Sequence, residues 1–181
     1  MAKNCFDNVP HESLDACPND EGSGGISTRV FYAPTAFLDK CVLPANTGEL
    51  GKANTIEDGN FTLLTDKKWK GIDVQIDEGE LKTTLVGNAG NKKAKIEFEF
   101  KIPRFNAEPL DFISRYKNVP MTFVVPDAQG TLWVIGTKIN GAFMESAEAT
   151  TGKKAEDDSG ITLKLICNSK LYKYAGVIAE A

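Results

Sequence analysis

The sequence has almost no histidine and no long apolar run, and these two absences remove most catalytic and membrane readings. His11 is the one histidine in 181 residues. It lies in a polar stretch, so a Ser-His-Asp or Cys-His site would have to recruit it from there. No apolar run approaches the roughly 20 residues that a helix needs to span a bilayer. The first residues also lack the apolar centre of a secretory signal, because Asn4, Asp7, Asn8, His11 and Glu12 interrupt it. The expectation is a soluble chain made in a cytoplasm, with no membrane insertion. Excess basic charge is missing too. The net charge is −4, which does not suggest a nucleic-acid-binding surface. Cysteine is sparse. Cys5, Cys17, Cys41 and Cys167 contain no closely spaced pair of the kind that pre-forms half a zinc tetrahedron, even with His11 added. They are expected as thiols, and if oxidised their spacing selects none of the possible pairings. Neither a metal nor another cofactor is expected.

What is present is a globular composition with an uneven charge distribution. Hydrophobic residues make up 41% and charged residues 25% of the chain, enough for a packed core. In residues 1–25, Lys3 stands against Asp7, Glu12, Asp15, Asp20 and Glu21. The whole imbalance therefore sits in this segment, and the remainder carries 20 side chains of each sign. The segment has few large apolar residues and ends in "GSGG" at 22–25, a composition that predicts a flexible acidic arm. Residues 26–181 are then expected to form one domain.

Short strand signals dominate that domain. "FTLLT" (61–65), "GIDVQI" (71–76) and "ELKTTLV" (80–86) are separated by turn residues. In "KAKIEFEFK" (93–101), Ile96, Phe98 and Phe100 alternate with Glu97, Glu99 and Lys101, which makes one buried and one wet face. "GITLKLIC" (160–167) alternates likewise, with Ile166 breaking its polar side. Strands are also expected at 121–125 and 131–139. Asn140-Gly141 signals a hairpin that returns through "AFMES". One segment has helical spacing instead. A short helix over about 107–117 is predicted, capped by Asn106, with Pro109 in its first turn and an end before Pro120. Many strands and one helix imply a mainly β fold, an antiparallel sandwich or barrel with one short flanking helix and long loops.

The remaining motifs favour structure over chemistry. "GNAGNKK" (87–93) lacks the spacing of a phosphate loop and leads into a strand, so it reads as a hairpin turn. The carboxylates of "DEGE" (77–80) and "AEDD" (155–158) sit in turns, where solvation explains them. Trp69, Trp133, Tyr32, Tyr116, Tyr172 and Tyr174 could form a carbohydrate platform, although aromatic residues at strand positions are usually core. No enzyme is expected.

The order of elements over residues 60–178 resembles the tail tube proteins of long-tailed bacteriophages. It comprises an alternating strand with acidic outer positions, a short helix, "VPMTFVVPDAQGTLWVIGTKINGAF", the polar loop "TTGKKAEDDSG" and a last long strand. That group shares its fold with the tube proteins of contractile injection systems. The resemblance implies a structural virion protein, located in the tail and made in the host bacterial cytoplasm. It implies stacked, hexameric rings around a conduit that passes DNA without reading its sequence, with copies of itself and other tail proteins as partners. It further implies loops that bridge subunits. The candidates are Thr150, Thr151, Gly152, Lys153, Lys154, Glu156, Asp157 and Asp158 in one loop and Gly48, Glu49, Lys52 and Asn54 in another, with Glu97 and Glu99 facing the channel. A neutral body suits such a channel, because phosphate contacts would retard passage. The four cysteines and the acidic arm depart from the pattern and leave a neck or tail-terminator role open. A monomeric binding module for carbohydrate or a host surface is the rival reading.

Overall fold

In a computed structural model of the chain, the described residues are 12–14, 24–45, 49–154 and 156–180. Most of the expected acidic arm, including Cys5, His11 and Cys17, lies outside them, as does Gly48.

Twelve strands and one α-helix follow in chain order among the described residues. They are β1 (Arg29–Pro34), β2 (Leu38–Cys41), β3 (Thr55–Ile56), β4 (Phe61–Leu63), β5 (Lys70–Asp73), β6 (Gly79–Val86), β7 (Lys93–Pro103), α1 (Ala107–Tyr116), β8 (Met121–Pro126), β9 (Leu132–Ile135), β10 (Phe143–Thr150), β11 (Gly160–Cys167) and β12 (Tyr172–Tyr174). They form a six-stranded sheet, β3-β12-β9-β8-β1-β5, a four-stranded sheet, β10-β11-β7-β6, and a two-stranded ribbon, β2-β4. Pairing between these strands is antiparallel except between β12 and β3. The fold is thus an open sandwich, and these sheets do not close into a barrel.

The core explains which strands alternate and which do not. Ile96, Phe98 and Phe100 of β7 and Ile161, Leu163 and Leu165 of β11 are buried against Met121, Phe123 and Val125 of β8. Their opposite faces are polar apart from Ile166, as the period-two pattern predicts. β8 is different. Its other face, with Val124, joins a second cluster with Leu38, Phe61, Trp69 and Tyr174 beneath the ribbon. A strand buried on both faces reads as a continuous apolar run, and β8 is "MTFVVP".

The helix forms where its spacing predicts. Leu110, Phe112, Ile113 and Tyr116 pack on the main core, and Phe112 meets Tyr32 edge-on at 5.1 Å. Asn106 occupies the N-cap position, but its side chain makes no capping bond.

One expectation is corrected. Asn140-Gly141 does not close a hairpin between β9 and β10. These strands belong to different sheets, and residues 136–142 carry the chain across. Thr137 N–H donates to the Asn140 carbonyl at 2.8 Å, and Ala142 bridges Met121. A Cβ at Gly141 would lie 2.7 Å from the Pro120 side chain, so close packing requires this glycine. The aromatics sit in the packed interior, as expected of strand positions, and not in a platform. Trp69, Tyr172 and Tyr174 are buried, Trp133 donates its indole N–H to Asp127, and Tyr32 packs against Phe112 and Tyr116 of α1. The hairpin reading of residues 87–92 holds, with Val86 opposite Lys93 and Asn91 N–H donating to Asn88.

Candidate functional site

The margins of the two sheets differ. The six-stranded sheet ends in β3, with two residues, and β5, with four. The C-terminal residues flank β5, with Glu180 bridging Trp69 in parallel. The Arg29 guanidinium holds this arrangement. Its Nε donates to the Glu180 carboxylate at 3.0 and 3.1 Å, and its Nη1 donates to Asp73 at 2.5 Å. These bonds push the Arg29 pKa further up, Glu180 more than Asp73.

The four-stranded sheet ends in β6 and β10, each eight residues long. Neither has a strand neighbour on its outer side among the described residues. β10 is exposed on both faces except at half-buried Met144. β6 overhangs the core in the same way, with Leu85 70% and Val86 42% exposed. Long uncovered edges present unpaired backbone groups, and natural proteins usually blunt them with short strands, charges or cover.

The outer face of this sheet carries balanced charge. Lys95 Nζ lies 2.8 Å from Glu97 Oε1, and Lys164 Nζ lies 3.6 Å from Glu97 Oε2 and 3.1 Å from Glu145. Glu97 is held below the usual carboxylate range, chiefly by its bond from Lys95 and then by the charge of Lys164. Lys164 is pushed up, first by Glu145. Glu99 is exposed between Glu80 and Lys164 in the strand register. The two expected channel-facing residues thus do share the wet face.

The polar loop is shorter and more ordered than its composition predicts. β10 runs to Thr150, which pairs with Gly160, so the connection is residues 151–159. Asp157 Oδ2 accepts from the backbone N–H of Lys153 and Lys154, both at 2.8 Å. Gly152, at φ +75°, lets the chain pass the Asp157 side chain, and its N–H donates to Thr150 Oγ1. Asp158 Oδ2 accepts from Gln75 Nε2 at 2.7 Å and Lys101 Nζ at 2.5 Å. Those bonds, Lys101 first, hold Asp158 below the usual range. Thr151, Lys153, Lys154 and Glu156 remain exposed.

In the second loop, Glu49 and Lys52 pair with each other, and Asn54 N–H closes a turn on Gly51. The structure does not bring the two loops together. Asn54 lines a cleft of about 600 Å³ with Thr83, Leu85, Lys93 and Leu171, at the Lys93 end of β7. The residues 151–159 connection lies at the Pro103 end, where Arg104 N–H donates to Ser159. A cleft of about 690 Å³ beside Lys52 is lined by apolar Val42, Leu43 and Leu50. Among the described residues no group of His, Cys, Asp and Glu could hold a metal, and no helix is long and apolar enough to cross a membrane.

Sequence reasoning missed Leu85, Val86, Phe143 and Glu148 as edge residues. The signal lies in "FMESAEAT", whose weak apolar alternation marks a strand without cover on either face.

No family model matches the chain, and no curated protein matches it. Among solved structures, a chain is similar from a six-fold symmetrised cryo-EM structure of the anti-feeding prophage baseplate. It is 11% identical, with a TM-score of 0.43 over 84% of this chain and 97% of that one. A likeness of that size says nothing about what this chain does.

Proposed function

We propose that the protein is a structural, self-assembling virion subunit whose four-stranded sheet continues from copy to copy, building stacked rings of the tail-tube kind. The observation that carries this reading is the matched pair of uncovered edges. Four antiparallel strands in the order β10-β11-β7-β6 leave the two outer strands running in opposite directions. Rotating one copy onto the next therefore sets β6 antiparallel to the neighbour's β10 and continues the alternation without a break. Both edges have the same length, and a head-to-tail contact that closes gives a ring. The two polar loops lie at opposite ends of the same sheet, where rings stacked along the strand direction would meet. Glu97 and Glu99 would line a wall whose charges are largely neutralised locally, a surface suited to passing DNA without holding it. The role requires no reactive centre, only complementary surfaces.

Sedimentation velocity over a range of concentrations, with negative-stain microscopy, tests the proposal. Rings or tubes that grow with concentration are the expected result. Monomers at every concentration would refute it. Rings that never stack would restrict the protein to a neck or terminator role.

A further inference from the structure

We infer that one specific register joins β6 of one copy to β10 of the next, fixed by an ion pair between Lys82 and Glu148 and by an apolar contact of Leu85 and Val86 with Met144 and Phe143. This rests on the assembly reading above and specifies which residues of the partner copy it uses.

Side-chain faces limit the choice of register. In β6, Glu80, Lys82, Thr84 and Val86 lie on the outer face, opposite Glu99, Glu97, Lys95 and Lys93. In β10, Phe143, Ser146, Glu148 and Thr150 lie on that same face, and Met144, Ala147 and Ala149 on the inner one. A one-residue slip would place inner against outer residues, so allowed registers differ in steps of two.

One of these registers matches the charged and the apolar groups together. With Lys82 opposite Glu148, Thr84 meets Ser146, and Thr83 and Leu81 meet Ala147 and Ala149. The irregularity between Met144 and Ser146 then shifts the count by one residue, which sets Leu85 opposite Met144 and Val86 opposite Phe143. Leu85, Val86 and Phe143 are 70%, 42% and 46% exposed in the single chain. Slipping by two residues one way sets Leu85 against the small Ala147 and Val86 against Ser146, and slipping the other way carries both past the Phe143 end of β10.

The charges agree with this register. Lys82 stands opposite Glu97 within its own sheet, but Lys95 and Lys164 already occupy both Glu97 oxygens. Glu148 stands opposite Thr162, and Lys164 pairs with Glu145 instead. Neither Lys82 nor Glu148 has an ion-pair partner among the described residues. Opposite charges directly across a strand pair stabilise it, and like charges oppose it.

The experiment uses the full chain and the variants Lys82→Glu and Glu148→Lys, assembled separately and then mixed. Both positions are exposed, so the melting temperatures should match wild type and confirm folding. Each variant alone faces like charge with like. It should need a protein concentration about tenfold higher to form oligomers. An equimolar mixture should recover wild-type assembly. Where the two variants alternate, every contact brings opposite charges together: two substituted side chains meet at one interface, and native Lys82 meets native Glu148 at the next. An interface in which β6 pairs with β6 or β10 with β10 already sets like charge against like in wild type, so neither variant alone would be impaired there; variants that assemble poorly and are not rescued by mixing would overturn the inference. Variants that assemble like wild type would also overturn the register while leaving self-assembly standing. Wild-type protein that stays monomeric would instead remove the assembly reading itself. As a second measurement, Thr84→Cys with Ser146→Cys should give inter-copy disulfide ladders absent from the parent chain. Ladders from Thr84→Cys with Glu148→Cys in their place would show a slipped register.

Discussion

The six-stranded and four-stranded sheets share one core yet are finished differently. The six-stranded sheet carries a core cluster on each face of its central strand β8 and has short margins, one of them flanked by the C-terminal residues and the Arg29 clamp. The four-stranded sheet is buried on one face only, and its eight-residue margins are uncovered. The first has the anatomy of a scaffold. The second has that of a surface held ready by the scaffold, because a flat run of unpaired backbone is a liability unless something pairs with it.

Substitutions at four positions test this contrast. The largest effect on stability is expected beneath the ribbon. Phe61 is 2% exposed and stacks on Trp69 at 5.6 Å, so Phe61→Ala should cost about 3–5 kcal/mol in chemical denaturation. A loss well under about 1 kcal/mol would mean that the second face is not a true core. Next comes the β8–β9 turn. Asp127 accepts from the N–H groups of Gln129 (2.9 Å) and Thr131 (2.8 Å) and from the Trp133 indole (2.9 Å). Asp127→Ala should cost on the order of 2 kcal/mol.

The same turn makes a pH prediction. Burial would raise the Asp127 pKa, but the bonds from Trp133, Thr131 and Gln129 outweigh it and hold the group below its ordinary value. A depressed carboxylate contributes stability above its unfolded pKa of about 3.9 and loses it as pH falls through the lower folded value. Wild type should therefore lose more stability than Asp127→Asn as pH drops below about 4. Parallel curves would contradict the assignment.

The outer face of the four-stranded sheet should matter far less. Lys95→Ala removes a solvent-accessible pair with Glu97, so a small loss at low salt should vanish near about 1 M salt. Leu85→Lys should change stability least of all, because the side chain is already 70% exposed. It should nevertheless prevent assembly in sedimentation by placing a charge on the edge. A variant that melts like wild type and still assembles would show that this edge is idle.

Much of the sandwich is legible along the chain. The Ile96-Phe98-Phe100 alternation, the continuous apolar β8 and the helical spacing of Leu110, Ile113 and Tyr116 are local patterns set by side-chain geometry and burial. Asn140-Gly141 misleads because its turn chemistry serves a crossing between sheets, which depends on where β8, β11 and β12 lie. The polar loop is only partly legible, because beside its local bonds from Lys153 and Lys154 to Asp157 it is held by Asp158 reaching Lys101 and Gln75, residues distant along the chain.

Local pattern along the chain suffices to establish a β-rich protein with one short helix, a neutral body and alternation wherever one face is wet. It does not say which strands end each sheet or which exposed residues share an edge, and those came only from the folded arrangement. Periodicity records how each strand meets its own layer. Strand order depends on pairing between distant segments, so the identity of β6 as an open margin has no local signature to read, and that of β10 shows only in the weak alternation of its sequence.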